Sequence, residues 1–181
     1  MSINTKKIYL ALSVLGKDNL GIICNLSKMI ADYNCSIEDG RMTVLGGEFA
    51  AILLIEGKWN ALAKLESALP DFGKQQGLTI VAKRTGEREP PRALVPYAVD
   101  VFSLDRPGII GNLSKFFADH VINIEDIVSS SYVDPRTDTQ VCSVHMTVGI
   151  PGDVHIASLR DEFMDYCDDL NLDASLEPIK I

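Results

Sequence analysis

The sequence is poor in the features that most often announce a chemistry. Its 181 residues include only three histidines and four cysteines. No two cysteines form the C-x-x-C pair that a zinc knuckle or a redox dithiol needs. No apolar run reaches the ~20 residues of a membrane-spanning helix, so no membrane association is expected. Residues 1–7 lack the apolar core and small-residue cleavage site of a signal peptide. A cytoplasmic, reducing location is therefore expected, with Cys24, Cys35, Cys142 and Cys167 as buried free thiols. Basic charge is also scarce, with 17 Lys and Arg against 25 Asp and Glu. The deficit is concentrated: residues 1–90 carry a net charge of +1 and residues 91–181 a net charge of −9. A nucleic-acid binder draws most of its affinity from phosphate neutralisation, so direct DNA binding is disfavoured. What the chain does have is 46% hydrophobic residues and an ordinary 23% charged, enough for a folded core.

An internal repeat organises that core. Gly21-Ile22-Ile23-Cys24-Asn25-Leu26-Ser27-Lys28 returns as Gly108-Ile109-Ile110-Gly111-Asn112-Leu113-Ser114-Lys115. At the same offset, Ala31-Asp32 matches Ala118-Asp119, and Ile37-Glu38-Asp39 matches Ile124-Glu125-Asp126. Residues 21–39 and 108–126 share 12 identities in 19 ungapped positions, which marks a duplication. The expected domains are 1–84 and 95–181. Between them a proline-bearing polar segment, 85–94, reads as an extended linker.

Each copy reads as strand, helix, strand, strand, helix, strand. Ile8–Leu15 and Tyr97–Leu104 are β-prone apolar runs. Ile23, Leu26 and Ile30, then Ile110, Leu113 and Phe117, recur at helical spacing. Second strands follow over 37–44 and 124–133, and Gly46-Gly47 marks a tight hairpin. Third strands span 49–55 and 141–148. Second helices carry Trp59, Leu62, Leu65 and Leu69, and Ile156, Leu159, Phe163, Tyr166 or Cys167, and Leu170. Trp59 is expected in the core. Last strands lie at 78–82 and 174–179. The fold class is α+β: two tandem ferredoxin-like βαββαβ domains, with antiparallel sheets and both helices on one face. The bare face should be buried against the other copy or a second chain.

The segment with chemical content is the turn from the first strand into the first helix. It reads Lys17-Asp18-Asn19-Leu20-Gly21-Ile22-Ile23 and Leu104-Asp105-Arg106-Pro107-Gly108-Ile109-Ile110. Helix-start amides can hold a carboxylate, and Asp18 or Asp105 can hold an ammonium group. Together they describe a free amino acid. The competing reading is that both aspartates simply cap their helices.

The D-R-P-G-I-I helix opening inside a βαββαβ unit resembles the ACT domain family. The segment from Ile37 to Pro70, with Lys83-Arg84-Thr85 before the linker, resembles the glycine cleavage system transcriptional repressors within it. That resemblance implies a regulator that contacts the DNA-bound activator protein of the glycine cleavage operon rather than DNA, with glycine as the effector that relieves repression. It implies amino-acid-binding positions at Ser103, Asp105, Arg106, Pro107, Gly108, Ile109 and Asn123. In the first copy these are Gly16, Asp18, Asn19, Leu20, Gly21, Ile22 and Ser36. Leu20 replaces the proline and Ser36 the asparagine, so the second copy is the stronger candidate. Use of the repeat only to form a homo-oligomer stays open, as does a regulatory subunit docked on a metabolic enzyme.

Catalysis fares worse. His120, His145 and His155 share no metal-ligand spacing, so no metal or cofactor is expected and the chain is not read as an enzyme. Ser129-Ser130-Ser131 reads as a polar strand edge rather than a nucleophile. Asp161, Glu162, Asp165, Asp168 and Asp169 read chiefly as a solvated helix face, with a protein-contact patch as the alternative. An RNA-recognition domain of the same topology would need aromatic and basic residues on its middle strands, where strand 49–53 offers one aromatic and no basic residue.

Overall fold

A computed structural model describes residues 8–86 and 94–179. The chain divides into two compact units, residues 1–89 and 90–181. The first is built from β1 (Ile8–Lys17), α1 (Ile22–Asp32), β2 (Cys35–Leu45), β3 (Glu48–Gly57), α2 (Trp59–Gln76) and β4 (Leu78–Gly86). The second repeats the order with β5 (Leu94–Leu104), α3 (Ile109–Asp119), β6 (Asn123–Asp134), β7 (Thr139–Pro151), α4 (Ile156–Asp169) and β8 (Asp173–Pro178). The sheets are antiparallel, in the orders β2-β3-β1-β4 and β6-β7-β5-β8. Of the expected linker, Thr85 and Gly86 belong to β4 and Leu94 begins β5; residues 87–93 lie outside the described residues.

Alternation along the strands decides which face meets the helices. Leu10, Leu12 and Val14 of β1 and Leu53 and Ile55 of β3 pack on Leu26 and Ile30 of α1 and on Leu62, Leu65 and Leu69 of α2. In the second unit Val99, Val101, Val144, Met146 and Val148 pack on Leu113, Phe117, Leu159 and Phe163. Phe116, Phe117 and Phe163 lie in edge or tilted ring contact, with centroids 5.2–5.4 Å apart. On the other face Leu15, Ile52 and Val81, and Phe102, Leu104 and Val128, are exposed.

Two expectations are corrected. Trp59 is 69% exposed. It begins α2, and at 3.6 residues per turn it projects roughly 85° away from the centre of the Leu62-Leu65-Leu69 stripe. Cys24 is exposed while the other three thiols are buried, because Ile22, Leu26 and Ile30 form the inward stripe of α1.

The repeated Ile-Glu-Asp has a structural cause. A bulge interrupts the ladder between Ile37 and Asp39, and again between Ile124 and Asp126. The Gly46-Gly47 hairpin takes φ of 60° and 86°, the two left-handed residues that a type I′ turn requires.

All four helices exit through a left-handed residue: Asn34, Gly77, Val121 and Asn171. Asn and Gly tolerate that conformation, whereas a β-branched side chain is strained there. Val121 is 88% exposed, so little burial offsets the strain. Val121→Asn is expected to stabilise the second unit by about 1 kcal/mol, measured as a raised midpoint in chemical denaturation.

Candidate functional site

The two strand-to-helix loops share one backbone plan. Each is pinned at its root by the neighbouring hairpin: Asp18 N donates to Gly47 O at 3.0 Å and Asp105 N to Gln140 O at 2.9 Å. Each ends on a left-handed glycine, Gly21 at φ 93° and Gly108 at φ 96°, and these glycines are the N-caps of α1 and α3. Neither helix has a side-chain cap. The capping reading of Asp18 and Asp105 therefore fails. The first helical bonds are made by Asn25 N to Gly21 O and Asn112 N to Gly108 O, both 2.9 Å. The amides of residues 22–24 and 109–111 precede them and have no intrahelical acceptor.

In the second unit the aspartate is held in place. Asp105 Oδ2 accepts from Ser131 Oγ at 2.6 Å, and Ser131 Oγ accepts from Gln140 Nε2 at 2.8 Å. The result is an oriented carboxylate at the loop beside three helix-start amides. Arg106 is committed elsewhere, donating to the carbonyl of Leu170. Leu170 is the C-cap of α4, where a cation also meets the negative end of the helix dipole. Pro107 is exposed, Ser103 Oγ turns to the Leu104 carbonyl at 3.1 Å, and Ile109 is a core residue. Ile109 can thus offer a ligand only its backbone, and Ile22 likewise.

In the first unit an open cavity of about 480 Å³ lies against the loop. Asp18, Asn19, Leu20, Gly21 and Ile22 line it, with Met42, Val44 and Phe49 from the neighbouring strands. Gly16 is not among the residues lining it; a Cβ there would meet Leu78 Cδ2 at 2.7 Å and the Gly77 carbonyl at 2.8 Å.

Asn123 and Ser36 are not brought to the loop of their own unit. Asn123 pairs with Gly149, whereas the β6 residue facing the loop, Ser131, pairs with Cys142. Seven rungs of the ladder separate them, about 23 Å. Ser36 stands in the same relation to Val44. Sequence reading missed Ser131, Gln140, Met42, Val44 and Phe49. An offset of 87 residues would have set Ser131 against Val44, but the unequal hairpins hide the match of Gln140 to Gly47.

The histidines each have a local partner. His155 caps α4 through Ser158 N, His145 Nδ1 lies 2.6 Å from Asp100 Oδ1, and His120 bridges the Phe116 carbonyl (2.8 Å) and Glu162 Oε2 (3.1 Å). The last two carboxylates were not evident from the sequence. Among the described residues no three His, Cys, Asp or Glu groups converge as a metal site. Among the described residues no helix is long and apolar enough to cross a membrane. Burial pushes the Cys167 thiol up to about 11 and raises those of Cys35 and Cys142, so none of these is a reactive thiolate. The acidic residues of α4 are exposed, with Glu162 engaged by His120.

The ACT domain family matches residues 9–83. The chain is 32% identical over 173 residues to the glycine cleavage system transcriptional repressor of Escherichia coli (strain K12), spanning 94% of this chain and 90% of that protein. It belongs to that repressor family. Its fold is shared by the crystal structure of a protein provisionally assigned as such a repressor, with a TM-score of 0.74 and 24% identity over 97% of this chain and 99% of that one. The crystal structure of an unknown protein from Galdieria sulphuraria superposes with a TM-score of 0.77 at 23% identity, covering 97% of this chain and 100% of that one. The chain is therefore a tandem ACT-domain member of a family of regulators.

His120 is the C-cap of α3, and its pKa is raised, first by the Phe116 carbonyl and then by Glu162 against the effect of burial. A raised folded pKa adds stability that is complete below the unfolded value of about 6.5 and is lost as pH climbs through the folded one. The exposed pair is worth about 0.2–1 kcal/mol. Denaturation from pH 5 to 9 should show His120→Gln less stable than the parent at the acid end, with the gap closing as pH rises.

Proposed function

We propose that the chain represses glycine cleavage genes by binding a DNA-bound activator protein in the cytoplasm, without chemistry of its own, and that glycine relieves the repression. The observation that carries the effector half is the carboxylate of Asp105, fixed by Ser131 beside the unpaired amides at the head of α3. A carboxylate for the ammonium and amides for the carboxylate complement the two charged ends of a free amino acid. Similarity to the glycine cleavage system transcriptional repressor of E. coli over 94% of the chain supports the role as a repressor of glycine cleavage genes. The net charge of −8 supports a protein partner rather than DNA.

Effector coupling of ~1–3 kcal/mol would change partner affinity by roughly 5- to 150-fold. Calorimetric titration with glycine should give a saturable heat that Asp105→Ala abolishes and Ser131→Ala weakens, with both variants retaining the parent circular dichroism. Normal glycine binding by Asp105→Ala would remove the second-unit loop as the site.

A further inference from the structure

In the second unit the strand residues turned away from the helices form a surface with a composition of its own. Val99, Val101, Val144 and Met146 belong to the core, so Asp100, Phe102, Ser143 and His145 lie on the opposite face. Phe102, Leu104, Val128 and Tyr132 are exposed there, by 51%, 64%, 59% and 47%. The ladder sets them side by side. His145 joins Val128 to Asp100, Ser143 joins Ser130 to Phe102, and Val141 joins Tyr132 to Leu104. Carboxylates surround this apolar centre. Asp126 and Asp173 are exposed, Asp100 lies 2.6 Å from His145, and Glu177 lies 3.6 Å from Arg160 of α4. Strands β5 to β8 themselves carry no lysine or arginine. The matching face of the first unit has an apolar centre too, Leu15, Ile52 and Val81, but its charges balance. Lys17, Arg41 and Lys83 stand there against Asp39, Glu48 and Glu56, and Arg41 pairs with Asp39 at 3.0 Å.

An exposed apolar patch with a polar rim is the mark of a surface that another protein covers, and here the rim sets the sign of that protein's charge. We propose that the β5–β8 face docks a protein surface with an apolar centre and a cationic rim. For its partner the inference rests on the repressor reading above: the occupant is the DNA-bound activator, since a protein that grips DNA phosphates is rich in lysine and arginine. A second copy of the chain offers no such surface. Its own β5–β8 face repeats the same carboxylates and repels the first, and its first-unit face has no cationic excess. Nucleic acid and anionic lipid carry the wrong sign. Covering Phe102, Leu104 and Val128 removes apolar area from water, and the carboxylates around them select and steer a basic partner.

Titration of the full chain onto the purified activator bound to its operator DNA tests this, with the operator alone as control. Saturable binding is expected with the activator only, weakening as salt is raised. Phe102→Asp, and separately the pair Asp126→Lys with Asp173→Lys, should each weaken it by about tenfold or more. Ile52→Asp, the same kind of change on the first-unit face, should bind as the parent does. All four positions are exposed, and unchanged melting curves would certify the variants as folded. Activator binding that survives Phe102→Asp and the paired charge reversal overturns this inference and leaves the repressor reading standing. Equal loss in Ile52→Asp overturns it as well. So does a parent dimer that Phe102→Asp dissolves, because a second copy would then be the occupant. No binding of the activator by the parent overturns both.

Discussion

Each domain starts its first helix from a glycine held near φ +95°, a conformation that a residue with a Cβ adopts only under strain. Most of what the loops can do follows from that constraint. A glycine brings no side chain to cap the helix, so the amides of the first turn stay available. The aspartate three residues upstream is likewise not consumed as a cap. Its position is set instead by the backbone bond at the loop root and, in the second unit, by Ser131. A polar loop that would otherwise satisfy itself is left with complementary charge at its two ends.

Duplication preserved this backbone while the side chains around it diverged. The second unit ties its loop and α3 to α4 through Arg106 to the Leu170 carbonyl, Tyr166 Oη to the Asn112 carbonyl at 3.1 Å, and His120 to Glu162. In the first unit the corresponding helices are joined by Asn25 Nδ2 to Gln76 Oε1 at 3.0 Å. A ligand that shifts the second loop therefore acts on a segment whose arginine is anchored to the end of the most acidic helix.

Much of the fold was legible in the sequence, because burial is periodic and the repeat counted every element twice. Leu10, Leu12 and Val14 alternate as a half-buried strand must, and Leu26 and Ile30 keep helical spacing. Trp59 misled because hydrophobicity marks a stripe without showing where a helix begins to overhang its sheet. Cys24 misled because burial statistics for free thiols ignore which face of α1 it occupies. The loop itself was legible through its D-R-P-G-I-I run. Its neighbours were not: Ser131, Gln140, Met42 and Val44 reach it through strand register and hairpin length, which a linear motif does not encode.

An NMR titration of the backbone amides with glycine tests the central claim most directly. The account predicts saturable shifts concentrated at Ile109, Ile110 and Gly111, extending to Ser131 and Gln140, and no comparable change on the exposed sheet face around Phe102 and Val128. Saturable shifts centred on that sheet face, or no shift at the head of α3 at any glycine concentration, would contradict it.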